Sequence, residues 1–430
     1  MTNFWRKFKI AFTDKKLRNK LLFVMFILVL FRFLSAIPIP GVDTTALTQF
    51  LANNQFFGIL NIFSGGGLST LSIIMLGVGP FITASIIMQL LTMIVPSLKE
   101  LQKESGEAGR TKINQYTRFM TIPLAVLSGF GTIRLIQSQS SVGVLSDFSG
   151  FQWFLTLLAV TAGTMLVMWI GEIISEYGIG NGLSLIIFAG IVARLPASLS
   201  SLIQLYQPSM LPMIIAFIAA IILVIAGVIL VTEAQRNIPV SYAKRMRGER
   251  QVGGVESHLP MRLNQAGVIP IIFALSLMLF PAIIAQFFVN AKTEAIADFA
   301  TKAISFTNTQ GLWYGVIYFL LVVAFTYFYT NVVTNPDDIA ENMQRSGGFI
   351  PGLRPGQQTA GYLYKVLNRI TLPGSLFLGA IAVLPFLVQH WTGTQSLTLG
   401  GTGLLIVVSV VIETIKQVEA QLTMHDYRGY

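Results

Sequence analysis

Ten long apolar stretches recur along this chain, and they restrict its fold more than any other feature. Each holds about 20 residues, which as an α-helix matches a bilayer core about 30 Å thick. The stretches are residues 21–40, 73–95, 115–136, 151–171, 183–203, 210–232, 266–289, 311–333, 371–389 and 398–418. Only 11% of the 430 residues are charged, whereas soluble domains carry about 25%. The pattern predicts an all-α integral membrane protein with ten transmembrane helices.

Basic residues are distributed unevenly among the connections between these stretches. Of the 29 Lys and Arg residues, 24 lie in the two tails or in the connections that follow the second, sixth and eighth stretches. Cytoplasmic segments of membrane proteins carry such an excess of Lys and Arg. Ten spans place both termini on the same side, so the charges predict that both ends of the chain are cytoplasmic.

The residue types exclude several kinds of chemistry. The chain has no Cys, and its three His residues (His258, His390 and His425) are far apart, which argues against metal centres and Ser-His-Asp catalysis. No phosphate-binding loop of the G-x-x-x-x-G-K-[ST] type occurs. The sequence therefore predicts no catalytic residue, no metal, no cofactor and no direct nucleotide binding.

Charged residues are almost absent from the interior of the ten stretches. A secondary transporter for a small solute, the first alternative, should carry intramembrane charges or an ion site. A membrane-embedded enzyme, the second alternative, requires a catalytic pair at matching depth, and no such pair is evident. A neutral aliphatic constriction, which closes by dewetting, fits the composition better. Such a constriction would pass a flexible polymer and hinder ions.

Three connections are unusual for their length or composition. Residues 41–72 contain no Lys or Arg and are apolar and punctuated by glycine, which predicts a segment folded back into a cavity. Residues 233–263 and 334–369 are long and basic. Connections of that length are usually functional or disordered.

Two pairs of isoleucines lie among small and polar residues. Ile82 and Ile86 are four residues apart, as are Ile187 and Ile191, so each pair shares one helix face. The ordinary interpretation of such a pair is contact with lipid or simple packing. The small neighbours favour a helix-helix or cavity face instead.

Six motifs, in order and with matching spacing, resemble the SecY family, whose members form the pore of the bacterial protein translocase. Residues 71–90 (LSIIMLGVGPFITASIIMQL) and 169–182 (WIGEIISEYGIGNG) resemble its two signatures. Four shorter runs are similar to its 6/7 loop, the start of its seventh helix and its 8/9 loop. These runs are residues 241–245, 258–260, 267–270 and 352–356.

The resemblance implies an hourglass pore between two inverted five-helix halves. The halves would be residues 21–203 and 204–418, with cytoplasmic tails at 1–20 and 419–430. Such a channel passes unfolded secretory polypeptides across the bacterial plasma (inner) membrane and releases membrane segments sideways into it. It is not an enzyme. The partners implied are the small subunits SecE and SecG, the motor ATPase SecA, the ribosome and nascent chain, signal sequences and anionic lipids.

The resemblance also assigns site residues. The pore ring would consist of Ile82, Ile86, Ile187, Ile191, Ile272 and Ile406. A plug, about residues 62–73, would include Ile62, Phe63, Ser64, Gly65, Gly66, Gly67 and Leu68. The lateral gate would involve Ser85, Gln89 and Phe280. The motor or the ribosome would dock at Lys244, Arg245, Arg250 and Arg354, although for Lys244 and Arg245 membrane topology alone also explains the charge.

Overall fold

The computed structural model describes most of the chain and is mainly helical. The residues it describes are 14–39, 47, 61, 64–104, 106–139, 149–204, 211–242, 245–247, 250–252, 256–285, 288–289, 293–306, 312–392 and 401–428. The helices are α1 (Lys15–Ser35), α2 (Gly79–Ile94), α3 (Pro96–Glu104), α4 (Gly106–Gln139), α5 (Gly150–Tyr177), α6 (Gly182–Gln204), α7 (Leu211–Glu233), α8 (Ile269–Ala285), α9 (Glu294–Phe306), α10 (Leu312–Val333), α11 (Pro336–Arg345), α12 (Gln357–Thr392) and α13 (Gly401–Arg428).

Each of the ten predicted stretches falls on one of these helices, namely α1, α2, α4 to α8, α10, α12 and α13. Within the described ranges, five helical segments are long and apolar enough to cross a bilayer, and α2, α6 and α8 contain shorter apolar segments. The count of ten spans remains a prediction. Helices α4 and α12 extend well beyond the stretches predicted for them, because polar residues continue the helix past the apolar part.

The second stretch begins differently from the prediction. Residues 73–78 were expected to be helical, but α2 starts at Gly79, with Pro80 in its first turn. The preceding residues form turns and a short 3₁₀ helix, Gly67–Thr70. Gly77 has a φ of 55°, which a helix cannot include. Pro80 then provides a favourable start, because the first turn does not need its missing N–H.

The two long basic connections meet in one small antiparallel sheet. Strands β1 (Gln235–Tyr242) and β4 (Glu256–Arg262) pair along their length, and β5 (Gly348–Phe349) pairs with the end of β1. A separate hairpin consists of β2 (Arg245–Arg247) and β3 (Arg250–Val252). Ile238 and Val240 on β1 are buried against Met343 and Leu363, so the sheet is held on α11 and α12.

Helices that precede residue 204 pack against helices that follow it in two places, and we call each of these contacts a seam. On one side, α8 packs against α2 and α4, and on the other side α13 packs against α6. We call the second contact the α6–α13 seam. At one end of it, the Gly180 N–H, in the turn before α6, donates to Gln417 Oε1 at 2.7 Å. Ile179, from the same turn, is buried with Leu17 of α1 and Leu422 of α13.

Candidate functional site

The six isoleucines assigned to the ring all lie in one buried apolar cluster. They come from four helices: α2 and α6 precede residue 204, and α8 and α13 follow it. Each is at most 9% exposed; the six are Ile82, Ile86, Ile187, Ile191, Ile272 and Ile406. The cluster is larger than these six and also includes Phe31, Val78 and Leu405. The structure thus brings the six together, within a wider apolar core.

The interior around this cluster is electrically neutral. Among the side chains that the structure describes, the buried polar ones belong to Ser, Thr, Asn and Tyr, and no Asp, Glu, His, Lys or Arg is buried. Across the same residues, no group of His, Asp or Glu side chains could hold a metal ion. An ion that entered this interior would find no opposite charge to offset the loss of its hydration.

The segment assigned as the plug is compact where the structure describes it. Ile62 and Phe63 lie outside the described residues. We call residues 64–68 the glycine segment: Ser64, Gly65, Gly66, Gly67 and Leu68, all of them buried. The Leu68 N–H donates to Ser64 Oγ at 3.0 Å. Gly65 and Gly66 have φ values of 66° and 90°, a region in which a side chain would be strained.

The glycine segment contacts the helix that carries two of the six isoleucines. A Cβ atom added at Gly190 of α6 would lie only 2.2 Å from the Gly65 Cα, so the two backbones touch with no side chain between them. Gly190 directly precedes Ile191. On the opposite side, a Cβ atom at Gly65 would lie 2.4 Å from Cζ of Phe31 on α1. Glycine is therefore required on both sides of this contact.

The chain that follows the glycine segment is fixed to the end of α1. The Ile39 N–H donates to the Leu71 carbonyl at 2.9 Å, and the Ile73 N–H donates to the Ile37 carbonyl at 3.3 Å. The Thr70 hydroxyl donates to the Ser35 carbonyl at 2.7 Å. These bonds hold one end of the segment, and among the described residues its contact with α6 is the close packing of Gly65 on Gly190.

The residues assigned to the lateral gate lie on helices that pack together. Ser85 and Gln89 are on α2 and Phe280 is on α8, and all three are half-buried. Gln89 Oε1 is buried and has no hydrogen-bond partner among the described residues. A buried amide oxygen without a partner costs about 1–3 kcal/mol.

The residues assigned to docking differ in how far the structure describes them. Lys244 lies outside the described residues. Arg245 and Arg250 belong to the β2–β3 hairpin. Arg354 is exposed on a turn between Gly352 and Gly356, whose φ values are 83° and 98°. The Arg354 carbonyl accepts from the Thr359 hydroxyl at 2.9 Å, so the turn is held at the start of α12.

Two contacts at the site carry no assignment from the sequence. Gly190 is the first, because its backbone packs on that of Gly65. Gly403 of α13 is the second, since a Cβ atom there would be 3.5 Å from Ile191 Cγ2. Gly190 adjoins Ile191 and Gly403 lies three residues before Ile406. A small residue this close to a candidate ring position is a signal of close helix packing that could have identified both.

Known proteins resemble this chain over nearly its whole length. A sequence model of the SecY family matches residues 72–415. The protein translocase subunit SecY of Streptomyces scabiei is 43% identical over 435 residues, which cover 98% of this chain and 98% of that one. The protein translocase subunit SecY of Mycobacterium tuberculosis is 44% identical over 430 residues, which cover 96% of this chain and 97% of that one.

Solved structures share the fold at low identity. One described as a protein-conducting channel has a TM-score of 0.62 at 19% identity and covers 92% of this chain and 90% of that one. The idle yeast Ssh1 complex, bound to the yeast 80S ribosome, has a TM-score of 0.63 at 13% identity and covers 92% of this chain and 89% of that one. Together with the apolar helices, these likenesses confirm the predicted class, an all-α integral membrane protein.

Proposed function

Since this chain belongs to the SecY family and is a protein-conducting translocation channel, we propose that its six clustered isoleucines form the pore ring. The observation that carries this proposal is their convergence from four helices into one neutral, apolar cluster. Branched aliphatic side chains at a constriction exclude water and ions by dewetting. Because apolar contact is non-directional, a polypeptide of varied sequence can pass between them.

The glycine segment is the resting seal in this proposal. Its contact with α6 beside Ile191 supports the assignment, because displacement of the segment would free the helix that carries two ring residues. The bonds to α1 act as a tether, so a displaced segment stays attached and can return.

The lateral gate lies between α2 and α8, at Ser85, Gln89 and Phe280. The unpaired Gln89 oxygen supports this assignment, since a seam with an unsatisfied polar group separates at lower cost than a fully paired one. An apolar segment of a translocating chain would leave sideways between these helices into lipid. Signal sequences would bind at the same seam.

Energy for transport comes from partners in this proposal, since the channel itself is not an enzyme. The motor SecA or the translating ribosome docks on the surface formed by the β2–β3 hairpin and the Arg354 turn. The pairing of β1 with both β4 and β5 supports a single surface, because it joins the two basic connections. SecE and SecG are the small subunits, and anionic lipids surround the complex.

We place the channel in the bacterial inner membrane with both termini in the cytoplasm. The asymmetry of the basic residues supports this orientation. We call the sheet formed by β1, β4 and β5 the basic sheet. The basic sheet and Arg354 then lie on the cytoplasmic side, where a motor or a ribosome is found.

Photocrosslinking of a stalled nascent chain tests the ring. A photoreactive residue replaces Ile82 on α2, and a matched control replaces Phe154, which is 61% exposed on α5. A signal-bearing nascent chain should crosslink at position 82 and not at position 154. Equal yields at the two positions, or no crosslink at position 82, would contradict the proposed ring. A solute transporter or a membrane enzyme would give no crosslink at either position.

A further inference from the structure

Helix α9 connects α8 to α10 and presents three different faces. At about 100° per residue, Ala297, Ala300 and Ile304 fall within an arc of about 60°. Ala300 is fully buried and the other two are half-buried, so this face packs on the rest of the protein. Ile296 and Phe299 lie on a neighbouring arc and are 44% and 74% exposed.

The third face of α9 is polar. Glu294, Asp298 and Thr301 share an arc of about 60° and are all exposed. Asp298 also pairs with Lys302 at 2.7 Å, with both side chains largely exposed. A helix with a polar face and an exposed apolar face beside it is typical of a helix that lies in the plane of a membrane interface.

The ends of the neighbouring membrane helices lie next to α9 in the chain. Helix α8 starts just after the basic sheet, so α9 follows the end of α8 that is remote from that sheet. Phe288 after α8 and Trp313 at the start of α10 are both exposed. Aromatic residues at the ends of membrane helices mark the boundary between lipid and water. The exposed apolar face of α9 is therefore expected at the level of that boundary.

An apolar cavity of about 430 Å³ continues this face into the protein. It is open to the surface and is lined mostly by apolar residues of all three helices, among them Pro281 of α8, Phe299 and Ala303 of α9, and Leu321 of α10; Lys302 of α9 also lines it. An apolar, open cavity at the membrane boundary fits an acyl chain, and Phe299 lies at its edge.

We propose that α9 is an in-plane membrane anchor that inserts Ile296 and Phe299 among the acyl chains of the leaflet remote from the basic sheet. Its occupant is lipid, which also enters the cavity between α8, α9 and α10. Because α9 packs directly on α8, the anchor holds the far end of a helix assigned to the lateral gate. This assignment is independent of the pore ring.

Site-directed spin labelling tests the anchor, and this chain has no natural cysteine that would take the label. Phe299→Cys and Ile296→Cys report on the apolar face, and Thr301→Cys is the matched control on the polar face. The full chain, with the subunits that purify with it, is labelled in vesicles of phosphatidylethanolamine and phosphatidylglycerol. Power saturation then compares collisions with oxygen, which concentrates in lipid, and with a water-soluble nickel chelate.

Labels at positions 296 and 299 should collide several-fold more with oxygen than with nickel, and the label at position 301 should show the reverse. The proposal is wrong if positions 299 and 301 are equally accessible to nickel, since the face would then be in water. It is also wrong if position 299 is shielded from both reagents, since a protein partner would then cover it. Agreement between positions 296 and 299 guards against a local effect of one substitution.

Discussion

The substitution Gly190→Ala places a methyl group where α6 meets the glycine segment. The new Cβ atom would lie 2.2 Å from the Gly65 Cα, 2.6 Å from its carbonyl carbon and 2.9 Å from its oxygen. Carbon atoms in contact are about 3.5–4.0 Å apart, so the segment must move away by at least about 1.3 Å. The bonds of residues 70–73 to the end of α1 limit how the segment can adjust.

Overpacking of this kind typically costs about 1–3 kcal/mol. Alanine also favours a helix over glycine by about 0.5–1 kcal/mol, but this gain applies whether the segment is seated or displaced. The balance between the two positions of the segment should therefore shift by about 5- to 140-fold toward displacement. Such a shift should open the seal while leaving the helices stable.

Two assays measure this shift. Cells that carry Gly190→Ala should export a reporter enzyme with a defective signal sequence more efficiently than wild-type cells do. The purified channel in a planar bilayer should conduct ions more often at rest. Gly129→Ala in α4 is the control, because its Cβ atom would meet its nearest neighbour at an ordinary 3.5 Å. If Gly190→Ala matched this control in both assays, the glycine segment would not be the seal.

Three further substitutions test other contacts. Ile406→Asn should relax the requirement for a functional signal sequence, because a polar side chain wets the constriction. The control Ile406→Val should not. Equal export of the reporter with a defective signal sequence by the two variants counts against the ring. Gln417→Ala leaves the Gly180 N–H unpaired and should lower the free energy of unfolding by about 1 kcal/mol; an unchanged melting temperature in detergent would show that the hydrogen bond does not contribute. Arg354→Glu should reduce motor-driven export and leave the thermal stability unchanged. The control Arg345→Glu, on neighbouring α11, should not reduce export. Equal losses of export from both substitutions would mean that the charge of this surface matters and the position of Arg354 does not.

The sequence predicted helices well and their beginnings less well. Length and apolar content are local properties, so every predicted stretch fell on a helix. Residues 73–78 are as apolar as α2 itself, yet they form turns, because Ile73 pairs with Ile37 near the end of α1. That partner is distant in sequence, and no window of residues can reveal it.

The site was predicted in part by pattern and in part by family likeness. Spacing placed Ile82 with Ile86, and Ile187 with Ile191, on shared helix faces, but it could not say which faces point inward. The resemblance supplied Ile272 and Ile406. The joining of the two basic connections was not predicted, because Ser241 pairs with Phe349 across more than a hundred residues.

The two seams of this protein differ in what it costs to separate them. The α6–α13 seam would lose a hydrogen bond at Gly180, a buried apolar cluster around Ile179 and the close approach of Gly403 to Ile191. On α2, which packs on α8, the buried Gln89 Oε1 has no hydrogen-bond partner among the described residues. Suppose that the helices before residue 204 rotate relative to those after it and that the α6–α13 seam stays intact. The axis of this rotation then runs along α6 and α13, and a residue is displaced further the farther it lies from that axis. The isoleucines of α6 and α13 then remain neighbours while those of α2 and α8 move apart, so the aperture widens as a wedge on one side.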